Sequence, residues 1–345
     1  MSGIAVTPED DALVRRPLLL GIRRPLIVAS LAVLLLLGIS FLSLMLGAVN
    51  LSASDALTGL VSNSDAFARN VVWQIRYPRV LDGMIVGAGF ALAGALLQGV
   101  TRNPLADPTI FGVTAAAGLA SAIAIVADRT IPQWGIAMAC CAGGLVGSGL
   151  LFVIAWRGAV STVRLALAGV AISAFFGAAI VGLLASSRTF LQISLGFLAG
   201  GMYGTGWVDF RTMLPYFIPA AIAAVLVSGR LNILALGDDV AAGLGVLTDR
   251  TRLLILAIAG ILTAAAVSTA GLVSFVGLVC PHLARFTVGA DNRAVVPISA
   301  LYGAILVTGA DLIARLVIAP SEIPMGIITA GVGAPFLLYF VKFRA

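Results

Sequence analysis

Long apolar blocks separated by short polar breaks dominate the chain. The blocks fall at about 26–49, 80–100, 109–127, 134–155, 164–185, 213–229, 252–270, 272–288, 295–318 and 323–341. Most reach the ~20 residues that a helix needs to cross a ~30 Å hydrocarbon core, so the pattern predicts ten spanning helices. The seventh and eighth blocks have no polar loop between them, and their turn is placed near Ser268–Ser274. The block 26–49 is too long for a signal core and lacks a small-x-small cleavage site after it. It reads as the first span behind a polar tail, residues 1–25.

The polar breaks carry the local signals. The longest, residues 50–79, offers Ser52 or Ser54 as cap of a short helix through Leu60. Trp73 and Tyr77 then stand where aromatic rings mark a membrane interface. The break Asn103-Pro104-Leu105-Ala106-Asp107-Pro108 is read as a tight structural turn, since both prolines restrict the preceding residue and cannot extend a helix. Asp107 is expected to cap the helix that follows. In the segment 230–252, Asp238 and Asp239 can open a short helix and Gly243 and Gly245 can close it, leaving Val, Ala and Leu on its exposed face. Such a face meets a partner or lies on lipid. The stretch 194–204 is too short to cross and too apolar for a free loop, so it reads as a half-buried outer helix or re-entrant turn.

Composition agrees with this pattern. Of 345 residues, 60% are hydrophobic and 10% charged, and the mean hydropathy is +1.10. A soluble domain carries about a quarter charged residues. The 39 glycines suit helices that pack backbone to backbone. The net charge of +6 comes from 20 Arg and a single Lys, scattered between apolar blocks without a basic stripe. Membrane topology explains that better than nucleic acid. With ten spans and both termini inside, the inner segments hold 14 Arg and Lys against 7 outside, as the positive-inside rule requires. Merging the seventh and eighth blocks inverts everything after them.

Candidate chemistry is sparse. Cys140, Cys141 and Cys280 lie in apolar blocks without metal or redox spacing, and the lone His282 makes no metal site. No catalytic constellation stands in a soluble-length region. A phosphate-cradling loop needs a Gly-Lys pair, and Lys342 follows Val341, so any ATP hydrolysis belongs to a partner. Asp311 and Arg315 sit one turn apart in the ninth block, either as a structural pair at the outer edge or as a functional one.

Several fragments together, in order along the chain, resemble the permease family of bacterial importers for ferric siderophores, haem and vitamin B12. They are Arg76-Tyr77-Pro78-Arg79, the small-residue run Gly87–Gly94, Leu97-Gln98-Gly99, the Asn103–Pro108 turn, Leu236–Gly245, Gly277-Leu278-Val279-Cys280-Pro281-His282, Glu322-Ile323-Pro324-Met325-Gly326 and Gly333-Ala334-Pro335. The resemblance implies an all-α, ten-span subunit with the type II ABC importer permease fold, both termini cytoplasmic, in the bacterial inner membrane. It implies a second permease copy, two cytoplasmic ATPase subunits and a periplasmic substrate-binding protein. No cofactor is expected on this chain, with ATP-Mg on the ATPase. Arg76, Arg79 and Arg315 match outer-face arginines that meet acids on the binding protein. Charge reversal at Arg76 and Arg79 is then expected to weaken docking and leave folding intact. Leu236, Gly237, Asp238, Asp239, Ala241, Gly243, Leu244 and Gly245 match the coupling helix that docks on the ATPase. Gly200-Gly201-Met202-Tyr203-Gly204 leans toward siderophore members, with haem or cobalamin as alternatives. A proton-coupled carrier and a non-transporting scaffold are the readings from other classes.

Overall fold

Helices account for the architecture, and one of them runs through its middle. The computed structural model describes residues 8–62, 66–128, 130–156, 162–185 and 197–344. The sequence residues Arg129, Arg157, Arg188 and Ser194–Gly196 lie outside these. The main helices are α1 (Pro8–Met45), α2 (Ala53–Val61), α3 (Ala66–Arg69), α4 (Tyr77–Thr101), α5 (Val113–Ala127), α6 (Gln133–Ala155) and α7 (Thr162–Ala185). They continue as α8 (Trp207–Ala235), α9 (Asp238–Gly243), α10 (Thr248–Ala270), α11 (Val276–Val288), α12 (Asn292–Leu316) and α13 (Met325–Arg344). A π-helical stretch, Asn70–Arg76, joins α3 to α4 in one rod, Ala66–Thr101.

Seven of the described helices are long and apolar enough to cross a bilayer. Three shorter apolar helices, Val113–Ala127, Val276–Val288 and Met325–Tyr339, fill the remaining blocks. The third and eighth blocks are shorter as helices than the hydropathy pattern suggests. Residues 109–112 form turns, and α10 stops at Ala270, before Gly271 at φ 67°. At ~1.5 Å per residue, the 13-residue α11 spans only ~20 Å. Phe275 sets its start in the left-handed region at φ 70°. Gly333 makes room for that ring: a Cβ there would lie 2.2 Å from the Phe275 Cβ.

The rod containing α4 is the most buried of the seven long helices, and α1 the least. α4 packs chiefly on α12 and α10, with α8 and α11 completing its shell. α5, α6 and α7 form a second group, joined to the first through α10. Lipid tails are as apolar as Leu, so close packing rather than the hydrophobic effect holds helices together here. Two glycine pairs supply the closest approach. A Cβ on Gly87 would lie 2.0 Å from the Gly303 carbonyl oxygen, and one on Gly94 would lie 1.9 Å from that of Gly277. α4 therefore touches α12 and α11 backbone to backbone. Several hydroxyls within the spans are satisfied by the preceding turn, as in Thr101 to Leu97 O (2.7 Å), Thr263 to Ala259 O (2.8 Å) and Ser299 to Val295 O (2.6 Å), whereas those of Thr114, Ser148 and Thr308 are buried without a partner among the described residues.

Replacing Gly87 with Leu is expected to abolish the monodisperse folded peak on fluorescence-detected gel filtration. Gly149→Ala, where no atom lies within 4 Å of the added Cβ, is expected to leave that peak and the melting temperature within about 1 °C of the parent, consistent with the small effect of substitutions away from packed sites.

Candidate functional sites at the two ends of the bundle

At one end the chain gathers aromatic rings and a buried charge network. Ser52 opens α2 with a capping box, its Oγ accepting from Asp55 N (3.1 Å) while Asp55 Oδ2 accepts from Ser52 N (3.3 Å). Trp73 stacks on Tyr77 with centroids 5.3 Å apart, and the Trp207 Nε1 donates to the Trp73 carbonyl at 2.8 Å. The three arginines of the outer group all lie here, and all three are turned inward. Arg76 is 6% exposed and donates to Leu44 O (2.7 Å), Met45 O (2.9 Å) and Val49 O, so it caps the last carbonyls of α1. Arg315 is 7% exposed, bonds Asp311 Oδ2 at 3.0 Å, and reaches the same helix end through Ser43 Oγ and Leu46 O. Arg79 lies between two acids, Asp311 at 2.8 Å and Glu322 at 2.7 Å.

Glu322, Arg79, Asp311 and Arg315 thus form one line of alternating charge tying α4 to α12 and to the turn before α13. The pair Asp311–Arg315 read from the sequence is half of it. Sequence spacing gave no sign of Arg79 joining Asp311, because 232 residues separate them. The Tyr203 hydroxyl donates to Glu322 O (3.0 Å) and accepts from Glu322 N (3.1 Å). The turn Gly200–Gly204 is stitched to the same region, with Gly326 N donating to Gly200 O (3.0 Å) and Gly201 N to Ala270 O (2.9 Å). The geometry adds a structural cost for Arg76: its reversal is expected to remove the cap of an otherwise loosely packed α1 and to put a carboxylate against three carbonyl oxygens.

The opposite end carries the turn and the short helix. Arg102 ends α4 in the left-handed conformation (φ 50°), and its Nε donates to Leu234 O at 2.8 Å. Asn103 Oδ1 accepts from Leu105 N (2.9 Å), and Pro104 follows within that turn. Asp107 Oδ1 accepts from Thr109 N (2.8 Å) and from the Thr109 hydroxyl. Asp107 was expected to cap the following helix. It caps the Pro108–Phe111 turn instead, and α5 begins only at Val113 after Gly112 at φ 76°. The Asp107 carboxylate also lies against the start of α11, where a Cβ on Gly277 would lie 2.9 Å from its Oδ2.

α9 rests on a clamp. Asp238, its first residue, accepts from Arg252 at 2.8 and 3.0 Å and from Arg102. The chain enters α9 through Gly237 (φ 112°) and leaves through Gly245 (φ 80°), conformations costly for any side chain. Ala241 is buried, and Leu236, Asp239, Val240, Gly243 and Leu244 are not. Both termini of the helical bundle point to this end: Arg24 of α1 donates to Phe286 O, and α13 runs from Gly200 past His282. His282 contacts the rings of Phe286 and Phe336 edge-on. It belongs to no group of three His, Cys, Asp or Glu among the described residues.

Burial raises the Asp238 carboxyl, but the hydrogen bonds and charges of Arg252 and Arg102 outweigh it and hold it below the ordinary aspartate range. A depressed carboxylate contributes stability above the unfolded value, about 4, and loses it as pH falls through the lower folded value. Protection of the amides of residues 238–243, corrected for intrinsic exchange, is therefore expected to be high at neutral pH and to fall below about pH 4. Asp238→Asn is expected to give fast exchange at every pH. Slow exchange in that variant would show that the clamp does not hold α9.

Comparison with known proteins places this arrangement. The FecCD transport family model matches residues 34–343. The Fe(3+)-citrate import system permease protein YfmE of Bacillus subtilis is 33% identical over 323 residues, covering 94% of this chain and 97% of that one. The cobalamin import system permease protein BtuC of Halobacterium salinarum is 39% identical over 278 residues, covering 80% and 74%. A solved structure of a metal-chelate type ABC transporter in an inward-facing conformation superimposes with a TM-score of 0.81 at 31% identity, covering 92% of this chain and 99% of that one. A helical, multi-pass chain with two polar ends, matched by the family model across nearly its full length, is a member of the FecCD transport family.

Proposed function

We propose that the chain is the permease subunit of an importer that moves a ferric siderophore across the bacterial inner membrane. A separate ATPase drives it and a substrate-binding protein delivers the cargo. In this reading all ten apolar helices cross the bilayer, two copies of the chain enclose the path, and the α9 end faces the cytosol. The observation that carries it is the clamped α9. Asp238 fixes the base of the helix to α4 and α10, while Val240 (50% exposed), Leu244 (61%) and Leu236 (62%) stand clear of the chain. A rigid apolar knob at a polar end suits transmission of force from a docked partner. The named relatives support the cargo class, since one is an iron-citrate and another a cobalamin permease. Haem and cobalamin are the alternatives within the same family.

The inward-turned arginines refine the docking expectation. Of the three, Arg79 is the one that can exchange partners. Its Glu322 contact is the more exposed of its two ion pairs, with Glu322 at 22% against 5% for Asp311. An acid on the binding protein competes there, and Arg76 and Arg315 hold α1 in place.

Uptake by proteoliposomes holding the chain with its ATPase, fed by binding proteins loaded with ferric siderophore, haem or cobalamin, tests the cargo. ATP-dependent uptake of the ferric chelate is expected, and its absence with every ferric chelate tried contradicts the reading. In the same system Leu244→Asp is expected to cut transport at least about tenfold while ATP is still hydrolysed, the factor that ~1.4 kcal/mol of lost partner contact produces. Arg79→Ala is expected to weaken docking of the binding protein and its salt dependence. Undiminished docking at low salt would sink the role given to Arg79.

A further inference from the structure

We propose that the pocket between α4, α8 and α11 binds a phosphate group, as free hydrogen phosphate or as the monoester headgroup of a lipid. The pocket is a cavity of about 280 Å³ at the α9 end, lined by Gln98, Arg102, Asn103, Leu231, Arg285 and Asn292 among others. That is many times the ~30 Å³ share of one water. Its lining includes two arginines and no acid. Arg285 makes one hydrogen bond, through Nη1 to Gln98 Oε1, and no ion pair with a described acid. Its half-buried guanidinium therefore keeps donors that no described residue engages. Arg102 adds a second guanidinium, and the acid it meets, Asp238, already holds Arg252. Arg102 and Arg252 share that one carboxylate, and Arg285 pairs with no acid among the described residues.

Asn292 supplies the second, independent feature. It is 7% exposed, and its amide nitrogens, backbone and side chain, both donate to Asn232 Oδ1. Its own Oδ1 is buried with no partner. An orphaned buried acceptor is costly, and an occupant that carries an O–H as well as anionic oxygens answers both needs of the pocket. Hydrogen phosphate and a phosphate monoester have both. Sulfate has the charge but no proton to donate at neutral pH. Because Arg102 forms the pocket wall and also grips Asp238, an occupant adds to the hold on α9. The site does not depend on which chelate the protein carries.

The full chain in zwitterionic nanodiscs, titrated with phosphate against chloride at constant ionic strength, tests this by thermal unfolding. A saturable rise in melting temperature is expected, larger than sulfate produces. Arg285→Gln is expected to weaken the half-saturating concentration at least about tenfold, and Arg285→Lys to weaken it less, as loss of a charged hydrogen bond implies. A lipid source shows as a rise on adding phosphatidic acid to the nanodiscs, after which free phosphate adds nothing. A free-anion source shows as a rise with phosphate that phosphatidic acid does not replace. If Arg285→Gln yields no folded protein, Arg285→Lys and the order of phosphate over sulfate carry the comparison. No saturable rise with either source, an equal rise in Arg285→Gln, or sulfate as effective as phosphate overturns the proposal.

Discussion

At two heights along α4 there is room for a hydrogen atom and nothing larger. Gly87 meets the backbone of Gly303, and Gly94 meets the backbone of Gly277. Inside a bilayer these contacts carry unusual weight, because no hydrophobic gain separates a helix surface that faces lipid from one that faces another helix. What remains is dispersion between atoms that come close, and glycine allows the closest approach. The pairs fix the depth and rotation of α12 and α11 against α4. The polar groups at both ends of α4 take their places from that.

From this register follows the arrangement of charge. Ionised groups in or near a bilayer persist when paired, and the partners of these groups come from distant parts of the chain. Arg79, on the first turn of α4, finds Asp311 because α12 runs antiparallel beside it, and finds Glu322 because the turn before α13 folds over the same end. At the far end Arg102 finds Asp238 because α8 ends there. Arg76 and Arg315 then fasten α1, which has few buried residues of its own. One close-packed rod thus links a network at the proposed docking face with a clamp beneath the proposed coupling helix.

Much of this is legible in the sequence, and the reasons are physical. Hydropathy marks spanning helices strongly, because a bilayer demands a long apolar run. The turn at 103–108 shows through its prolines and Asx residues, and α9 through paired acids and flanking glycines. Helix lengths are less legible. Residues 109–112 and 271–275 are as apolar as a helix but form turns around Gly112, Gly271 and Phe275, all at positive φ. The role of Asp107 was misplaced because the same side chain can cap a helix or a turn, and Gly112 decides between them five residues later. The arginines were legible as residues of one polar end of the bundle but not as buried ones. Their carbonyl partners on α1 leave no trace in residue identity, since every residue has a carbonyl.

Amide hydrogen exchange along the whole chain in nanodiscs tests the central claim, that α4 is the spine on which both ends are set. The account predicts that 83–98 exchange most slowly, followed by the facing parts of α10 and α12, with α1 and α7 much faster. Exchange in 83–98 as fast as in α1 would contradict it.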